Sequence, residues 1–286
     1  MDFLQPTTWN DALVARAEHP GAVPIAGGTD LMVGLNFGQP PPPALLDLTR
    51  VVELTEWVRE DGTIRIGAGV TYRRIIDEIA GECPALAAAS RTVGSPQIRN
   101  RGTVAGNLGT ASPAGDAHPP LLATGATVEV ASVRGAREID IDGFYQGVKR
   151  NALAPDELIR AVRVPVAAGP QRFAKVGPRN AMVIAVCSVA VALDPSARRL
   201  GTGVGSSAPT PRRAPGAEEF AAATLPWSTA DELDPAVAEE FGVRVAAATA
   251  PIDDVRAAAD YRRHAVAVLA RRALTWTWSE LRGGSR

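Results

Sequence analysis

The amino-acid sequence predicts an α+β protein with two domains, and three observations lead to that prediction. Short apolar segments such as residues 63–69 have the length or the alternation of β-strands, and amphipathic segments with polar N-caps lie between them. Residues 183–193 form a continuous apolar run, which is typical of a buried strand. A chain of 286 residues can bury two cores, and its composition changes after about residue 165. We therefore predict domains at residues 1–168 and 169–286.

The first half of the chain predicts a succession of short helices and strands. Thr7 or Thr8 can cap a first helix and Thr71 a later one, because a threonine hydroxyl accepts a hydrogen bond from the first helical turn. Residues 22–48 predict a β–α–β unit. The predicted helices cover residues 8–17, 31–35, 72–79 and 85–93, and the predicted strands cover residues 23–25, 45–48, 63–69, 121–133 and 136–141.

The second half predicts the strand at residues 183–193, a connecting loop at 208–215 and a long helix at 254–281. Trp276 and Trp278 lie two residues apart on that helix and point in different directions, so we predict one in the core and the other at an interface or at the surface. The arginines of the same helix predict a solvated or subunit-facing stripe, made of Arg262, Arg263, Arg271 and Arg272.

Composition argues against several classes of function. The formal net charge is −1, so no basic excess is available for nucleic-acid phosphates. The N-terminus lacks the pattern of a signal peptide, and no apolar run approaches the roughly 20 residues that span a bilayer. We therefore expect a cytoplasmic protein without a membrane span. Cys83 and Cys187 are too few for an iron–sulfur cluster or a cysteine-ligated zinc ion, which usually need four ligands.

A glycine-rich loop follows the strand at residues 23–25. Gly27 and Gly28 lack Cβ, so the backbone can take unusual φ values and present consecutive N–H groups to an anion, and Thr29 adds a hydroxyl. An ordinary strand-to-helix turn is the alternative. The loop has neither the G-x-G-x-x-G fingerprint of Rossmann folds nor the G-K-[ST] of a P-loop.

A second segment, residues 95–116, is too polar and too rich in glycine for a core element. Its glycines permit close approach of the backbone to a ligand, and hydroxyl, amide and carboxylate groups lie between and after them. A polar Ω-type loop held by its own side chains is the alternative. Two such segments in one chain favour a site for a large phosphate-bearing cofactor, a dinucleotide, held mainly by the main chain.

These motifs resemble those of the FAD-binding (medium) subunit of molybdenum hydroxylases of the xanthine dehydrogenase and carbon monoxide dehydrogenase type. The run Arg-Asn-Arg-Gly-Thr-x-x-Gly-Asn at residues 99–107 is the most specific match. The other matching segments follow in order over nearly the whole chain, at residues 26–31, 66–71, 110–116, 156–159, 173–176, 261–263 and 271–273. Pro178 departs from the pattern, since relatives often carry two basic residues where this chain has Pro178 and Arg179.

The resemblance implies both a fold and a cofactor. The fold is a two-lobed FAD-binding domain of the PCMH/vanillyl-alcohol-oxidase-like type, followed by a C-terminal antiparallel sheet with a small helical bundle. Ile159 is expected near the isoalloxazine ring of FAD and Lys175 near its polar edge, where a lysine would favour a negatively charged reduced flavin. An ordinary solvated lysine is the alternative. The residues expected at FAD are Pro24, Ile25, Ala26, Gly27, Gly28, Thr29, Asp30, Leu31, Val93, Gly102, Thr103, Gly106, Asn107, Gly109, Thr110, Ser112, Asp116, Ile159 and Lys175.

The resemblance also implies partners. In the family, the substrate is oxidised at a molybdenum cofactor in a molybdopterin-binding large subunit, and electrons cross two [2Fe–2S] clusters of a small subunit to reach FAD. We therefore expect a FAD-dependent oxidoreductase subunit that passes electrons to NAD⁺, oxygen or another acceptor within a dimer of heterotrimers. A stand-alone FAD-dependent oxidoreductase and a non-catalytic cofactor-binding module are the alternatives. His118 is expected at the surface, with contact to the cofactor as the alternative.

Overall fold

The computed structural model describes residues 1–179, 182–229 and 231–283. The chain begins with a parallel sheet of three strands in the order β1-β3-β2. Its elements are β1 (Asp2–Leu4), α1 (Trp9–Glu18), β2 (Ala22–Ile25), α2 (Leu31–Asn36) and β3 (Ala44–Asp47). Thr8 caps α1 by accepting a hydrogen bond from the Asp11 N–H at 3.1 Å. Because β2 and β3 are parallel and α2 connects them, the predicted β–α–β unit is confirmed.

A second lobe is built on an antiparallel sheet of five strands in the order β4-β5-β10-β6-β7. Thr71 caps α3 as predicted. After a 3₁₀ turn at Val52–Leu54, the elements of this lobe are β4 (Trp57–Glu60), β5 (Thr63–Gly67), α3 (Tyr72–Glu78), α4 (Pro84–Thr92), α5 (Pro96–Arg99), α6 (Val104–Thr110), α7 (His118–Thr124), β6 (Thr127–Ser132), β7 (Gly135–Asp140), α8 (Ile141–Phe144), β8 (Tyr145–Gly147), β9 (Arg150–Asn151) and β10 (Leu158–Pro165).

The remaining elements form an antiparallel sheet and a helical group. The sheet has the order β11-β12-β13. Helix α11 packs against α10 and against β12, and Trp278 lies in the core between them while Trp276 is exposed, as predicted. These elements are β11 (Gln171–Val176), β12 (Cys187–Asp194), β13 (Arg199–Gly205), α9 (Pro215–Thr224), α10 (Pro235–Ala247) and α11 (Ala259–Gly283).

The predicted strand at residues 121–133 is wrong in its first half, which belongs to helix α7. Pro119 and Pro120 lie in the first turn of this helix, where proline is tolerated. Gly125 ends the helix with a φ of +66°, and β6 begins two residues later. A short apolar run fits a buried helix as well as a buried strand, so the pattern alone could not decide.

Three further predictions are corrected at element ends and on α11. The strand predicted from residue 183 begins at Cys187. The helix predicted from residue 254 begins at Ala259, because Asp253 Oδ1 accepts a hydrogen bond from the Ala259 N–H and Asp254 folds into the preceding turn. Arg262 does not belong to a solvated stripe, since it is buried and donates to the Ser206 carbonyl at 2.7 Å.

Helix α7 packs against the C-terminal sheet although it belongs to the first half of the chain. A Cβ at Gly201 would come closer than 3.0 Å to the Ala123 carbonyl, and one at Gly203 closer than 3.0 Å to the Pro119 carbonyl. The glycines of β13 therefore allow direct contact between the helix backbone and the sheet.

The division of the chain at residue 168 stays a prediction. Across the described ranges, no helix combines the length and apolar composition needed to cross a membrane.

Candidate cofactor-binding site

The two glycine-rich segments meet at Gly27. A Cβ at this position would come closer than 3.0 Å to the carbonyl of Arg101 and to the backbone nitrogen of Gly102. The neighbouring Gly28 has a φ of +73°, a left-handed conformation that glycine adopts without strain. Gly27 is required because there is no room for a side chain, and Gly28 because of its left-handed backbone conformation. The first loop therefore lies in direct contact with the second segment.

The first loop offers a row of unused hydrogen-bond donors. The five backbone N–H groups of residues 27–31 donate to no acceptor among the residues that the structure describes. The loop runs from the end of β2 to the start of α2 and is partly open to solvent. Consecutive free N–H groups form a concave site for an anion, so the loop is suited to a diphosphate.

The second segment is more regular than the sequence indicated, since it contains helices α5 and α6. The Ser95 hydroxyl accepts from the Ile98 N–H at 3.4 Å, and the Thr103 hydroxyl accepts from the Gly106 N–H at 2.9 Å, so each caps one helix. Ala111 ends α6 in the left-handed region. The alternative of a polar Ω-type loop at residues 95–116 is therefore wrong, because two capped helices lie within the segment.

A buried ion pair connects the second segment to the C-terminal sheet. Lys175 Nζ in β11 lies 2.5 Å from Asp116 Oδ2 and donates to the Thr92 carbonyl at 3.3 Å. The Thr92 hydroxyl donates to the same Asp116 oxygen at 2.9 Å. The side chains of Lys175 and Asp116 are 8% and 7% exposed, so the alternative of a solvated lysine is wrong. Burial raises the pKa of Asp116, and the charge and hydrogen bonds of Lys175 and Thr92 oppose that rise.

Several buried polar atoms of this region have no hydrogen-bond partner within the described part of the chain. They are Tyr72 Oη, Asn107 Oδ1, Asp116 Oδ1 and His118 Nε2. Each such atom costs about 1–3 kcal/mol, so their concentration beside the glycine segments indicates that a polar ligand completes the site. The glycine contact, the free N–H groups and these atoms together fit FAD, which carries a diphosphate, hydroxyls and a polar ring edge.

The other predicted residues lie around this centre in different settings. The Val93 carbonyl accepts a hydrogen bond from the Arg99 guanidinium, and the Gly109 carbonyl accepts one from the Asn151 side-chain amide. The Thr110 hydroxyl donates to the Gly106 carbonyl within α6. Ser112 accepts from the Ala114 N–H. Ile159 lies in β10, in the first hydrophobic core, and α6 packs against that strand.

Sequence reasoning missed or misplaced several residues of this region. Within the second segment, the Arg101 carbonyl lies against Gly27, and the ring of Tyr72 lies against Gly102. Thr92 completes the ion pair. The expectation of a surface position for His118 is wrong, because the ring is fully buried with Nδ1 2.9 Å from the Tyr145 hydroxyl. Burial lowers the pKa of His118 to about 3. The partners of Thr92 and His118 lie 24 or more residues away, so no local signal could identify them.

Comparison with known proteins agrees with this description. Residues 1–167 match the FAD binding domain in molybdopterin dehydrogenase, and residues 172–277 match the CO dehydrogenase flavoprotein C-terminal domain. The chain is 31% identical to the xanthine dehydrogenase FAD-binding subunit of Escherichia coli O157:H7 over 289 residues, which cover 96% of this chain and 94% of the relative. It is 32% identical to the carbon monoxide dehydrogenase medium chain of Afipia carboxidovorans over 288 residues, with 96% and 95% covered.

A solved structure of reconstituted CO dehydrogenase from Oligotropha carboxidovorans superposes on the chain with a TM-score of 0.90, at 28% identity and with 98% of both chains covered. Fold and site together define a FAD-binding flavoprotein. The chain belongs to the family of FAD-binding medium subunits of molybdenum hydroxylase-type dehydrogenases. It is a subunit of an oxidoreductase, and its cofactor is FAD.

Proposed function

We propose that this chain transfers electrons within a molybdenum hydroxylase complex. It receives them from [2Fe–2S] clusters of a small subunit and passes them to NAD⁺, oxygen or another acceptor, while a molybdopterin-binding large subunit oxidises the substrate. The relatives that span nearly the whole chain are named as medium or FAD-binding subunits, which supports a place in such a complex. A dimer of heterotrimers stays a prediction.

The cysteines of the chain support the proposal that the iron–sulfur clusters lie in a different subunit. Cys83 and Cys187 are both free and buried, and burial raises the pKa of each thiol to about 12. Iron–sulfur clusters are ligated by thiolates, which these residues do not supply at neutral pH. Among the described residues, no group of His, Cys, Asp and Glu is arranged to hold a metal ion. We therefore propose that the iron–sulfur clusters lie in another polypeptide.

The observation that carries the proposal is the contact of Gly27 with Arg101, which sets five free N–H groups beside the second segment. We propose that residues 24–31 bind the FAD diphosphate. In the same proposal, Val93 and residues 102–116 contact the adenosine, phosphate and ribityl parts through the groups predicted from the sequence. When bound, FAD supplies the redox chemistry, and the chain binds it, orients it and limits access of water.

In this proposal, Lys175 does not act on the flavin as an isolated positive charge, which is what the sequence suggested. Asp116 balances its positive charge at 2.5 Å, so the pair presents little net charge to the polar edge of the flavin. Thr92 holds the same carboxylate oxygen. We therefore propose that Lys175 and Asp116 act as one unit that orders the flavin side of the site, with Ile159 packing near the ring from β10.

The visible absorption spectrum of the tagged chain, purified gently from its native host, tests the proposal. Flavin bands on broad iron–sulfur absorption, together with two co-purifying subunits and molybdenum by elemental analysis, are expected. Flavin bands alone, with no further subunits, would favour a stand-alone oxidoreductase. A preparation without flavin would contradict the site itself.

A further inference from the structure

The motif at residues 261–263 belongs to the segments that resemble the family, but the proposed function gives it no role. Its middle residue, Arg262, lies in the first turn of α11 and is buried, whereas both neighbours are exposed. One terminal nitrogen of Arg262 donates to the Ser206 carbonyl at 2.7 Å, and the other lies 2.5 Å from Asp254 Oδ1. The third nitrogen, Nε, has no partner in the described part of the chain, so these two acceptors explain how the charge is tolerated inside the protein.

The acceptor of Arg262 is a strained turn that directly follows β13. Ser206 has a φ of +59°, a left-handed conformation that is unfavourable for a residue with a Cβ. Its N–H donates to the Pro113 carbonyl at 2.8 Å, and its own carbonyl accepts from Arg262. The hydroxyl oxygen of Ser206 is buried without a partner among the described residues. The two main-chain hydrogen bonds, and not the side chain, therefore hold this turn in place.

The other end of this connection lies in the second glycine-rich segment. Pro113 follows Ser112 and precedes Asp116, two residues that are proposed to contact FAD. A proline has no N–H, so its carbonyl is the only main-chain group through which a hydrogen bond can hold it. A continuous path of hydrogen bonds thus runs from Arg262 in α11 through Ser206 to Pro113.

We propose that Arg262 is a positioning residue for the second segment. By binding the Ser206 carbonyl, it keeps the turn in its left-handed conformation, and the turn holds Pro113 and with it residues 112–116 in the position at which FAD binds. Asp254 balances the charge of the guanidinium and is itself fixed, since its Oδ1 accepts from the N–H groups of residues 256 and 257. The inference rests on the proposed contact of residues 102–116 with FAD.

Amide hydrogen exchange, followed by NMR on the full chain with FAD bound, tests the hold of Arg262 on the turn. In Arg262→Met the turn loses one of its two main-chain hydrogen bonds, so the Ser206 N–H opens more often. We expect its exchange to accelerate at least about fivefold more than that of the amides of β12, which report the general stability of the C-terminal sheet. Equal acceleration at Ser206 and in β12, or none at Ser206, would overturn the inference.

The dissociation constant of FAD measures the positioning role, and a glycine at the turn supplies the rescue. We expect Arg262→Met to weaken binding about fivefold. Ser206→Gly in the same chain should restore it to within about twofold of the wild type, because glycine adopts the left-handed conformation without strain. Arg198→Gly is the matched control, since Arg198 has a φ of +51° in the exposed turn between β12 and β13. Equal recovery by both glycines would show a loss of general stability and overturn the positioning role.

Gly27→Ala in the same titration separates this inference from the proposed site. Wild-type affinity in Arg262→Met with weakened binding in Gly27→Ala would overturn the positioning role alone, whereas unchanged binding in both would contradict the site and the inference together.

A second variant keeps the test decisive if Arg262→Met does not fold. Arg262→Lys retains the charge opposite Asp254 but has one nitrogen in place of the two that reach separate acceptors. It is expected to weaken FAD binding about threefold, with recovery by Ser206→Gly. Wild-type affinity with unaltered exchange at the Ser206 N–H would contradict the inference.

Discussion

At the scale of single residues, Gly27 and Gly28 are required for different reasons. Gly28 adopts a left-handed φ of +73°, whereas Gly27 leaves room for the Arg101 carbonyl. A side chain at 28 strains one residue, but a side chain at 27 displaces one segment of the site from the other. A substitution at Gly27 should therefore disturb the FAD-binding site more than one at Gly28.

Gly27→Ala is expected to weaken FAD binding at least about tenfold, because the added methyl pushes the first loop away from the second segment. Fluorescence titration of the apoprotein with FAD measures this change. Gly81→Ala is the matched control, since a Cβ at Gly81 meets nothing within 4 Å. Equal affinities for the two variants would contradict the contact between the segments.

His118 predicts a specific dependence of stability on pH. Its folded pKa of about 3 lies below its ordinary value of 6.5, so the unfolded chain binds the proton more readily between these values. The stability contributed by the neutral ring is fully present above pH 6.5 and is lost as pH falls toward 3. Relative to His118→Gln, the wild type should lose about 1.4 kcal/mol of unfolding free energy per pH unit in this window.

Urea unfolding of both proteins at several pH values between 6.5 and 4 measures that difference. Because the carboxylates of the chain are the same in both proteins, their contribution cancels in the comparison. Parallel pH profiles would show that the ring of His118 protonates freely and is not buried as described.

At the scale of elements, α7 is a helix that contacts two sheets, through β10 of the second lobe and through β12 and β13 of the C-terminal sheet. It follows the second segment in the chain, yet its backbone lies directly on β13. Gly201 and Gly203 make this approach possible, because a Cβ at either position would collide with a helix carbonyl. The start of α7 carries His118, so this contact also determines where that imidazole lies.

Gly203→Ala is expected to lower the free energy of unfolding by about 1–3 kcal/mol, since the methyl forces α7 away from β13. Gly216→Ala in α9 is the control, because the Cβ there meets open space and alanine favours a helix. It should be neutral or stabilise by up to about 1 kcal/mol. Chemical denaturation of both variants gives the comparison, and equal losses would contradict direct packing of α7 on β13.

At the scale of the whole molecule, the pair Lys175–Asp116 connects the C-terminal sheet to the second segment. A buried pair adds little net stability when both partners are present, but removal of one partner leaves a buried charge uncompensated. Lys175→Met is therefore expected to cost about 3–5 kcal/mol of unfolding free energy. The double variant Lys175→Met with Asp116→Asn should recover part of that loss.

Arg172→Met is the matched control for that experiment. Arg172 lies on the same strand and pairs with Glu280, but the two side chains are 43% and 47% exposed, so its loss should cost less than about 1 kcal/mol. Unfolding in urea, followed by circular dichroism, distinguishes the two cases. Equal effects of Lys175→Met and Arg172→Met would show that the Lys175 pair is solvated.

By itself the sequence determined the α+β class, the β–α–β unit, the caps at Thr8 and Thr71, and the two glycine-rich segments of the cofactor site. These features rest on local chemistry: hydroxyls that cap helices, glycines that free the backbone, and apolar residues at strand spacing. The burial of Trp278 rather than Trp276, the helix at His118–Thr124, the burial of Arg262 and the pairing of Lys175 with Asp116 were decided only in the tertiary structure. Each of them depends on a partner distant in the sequence, and burial by that partner changes which conformation or charge state has the lowest free energy.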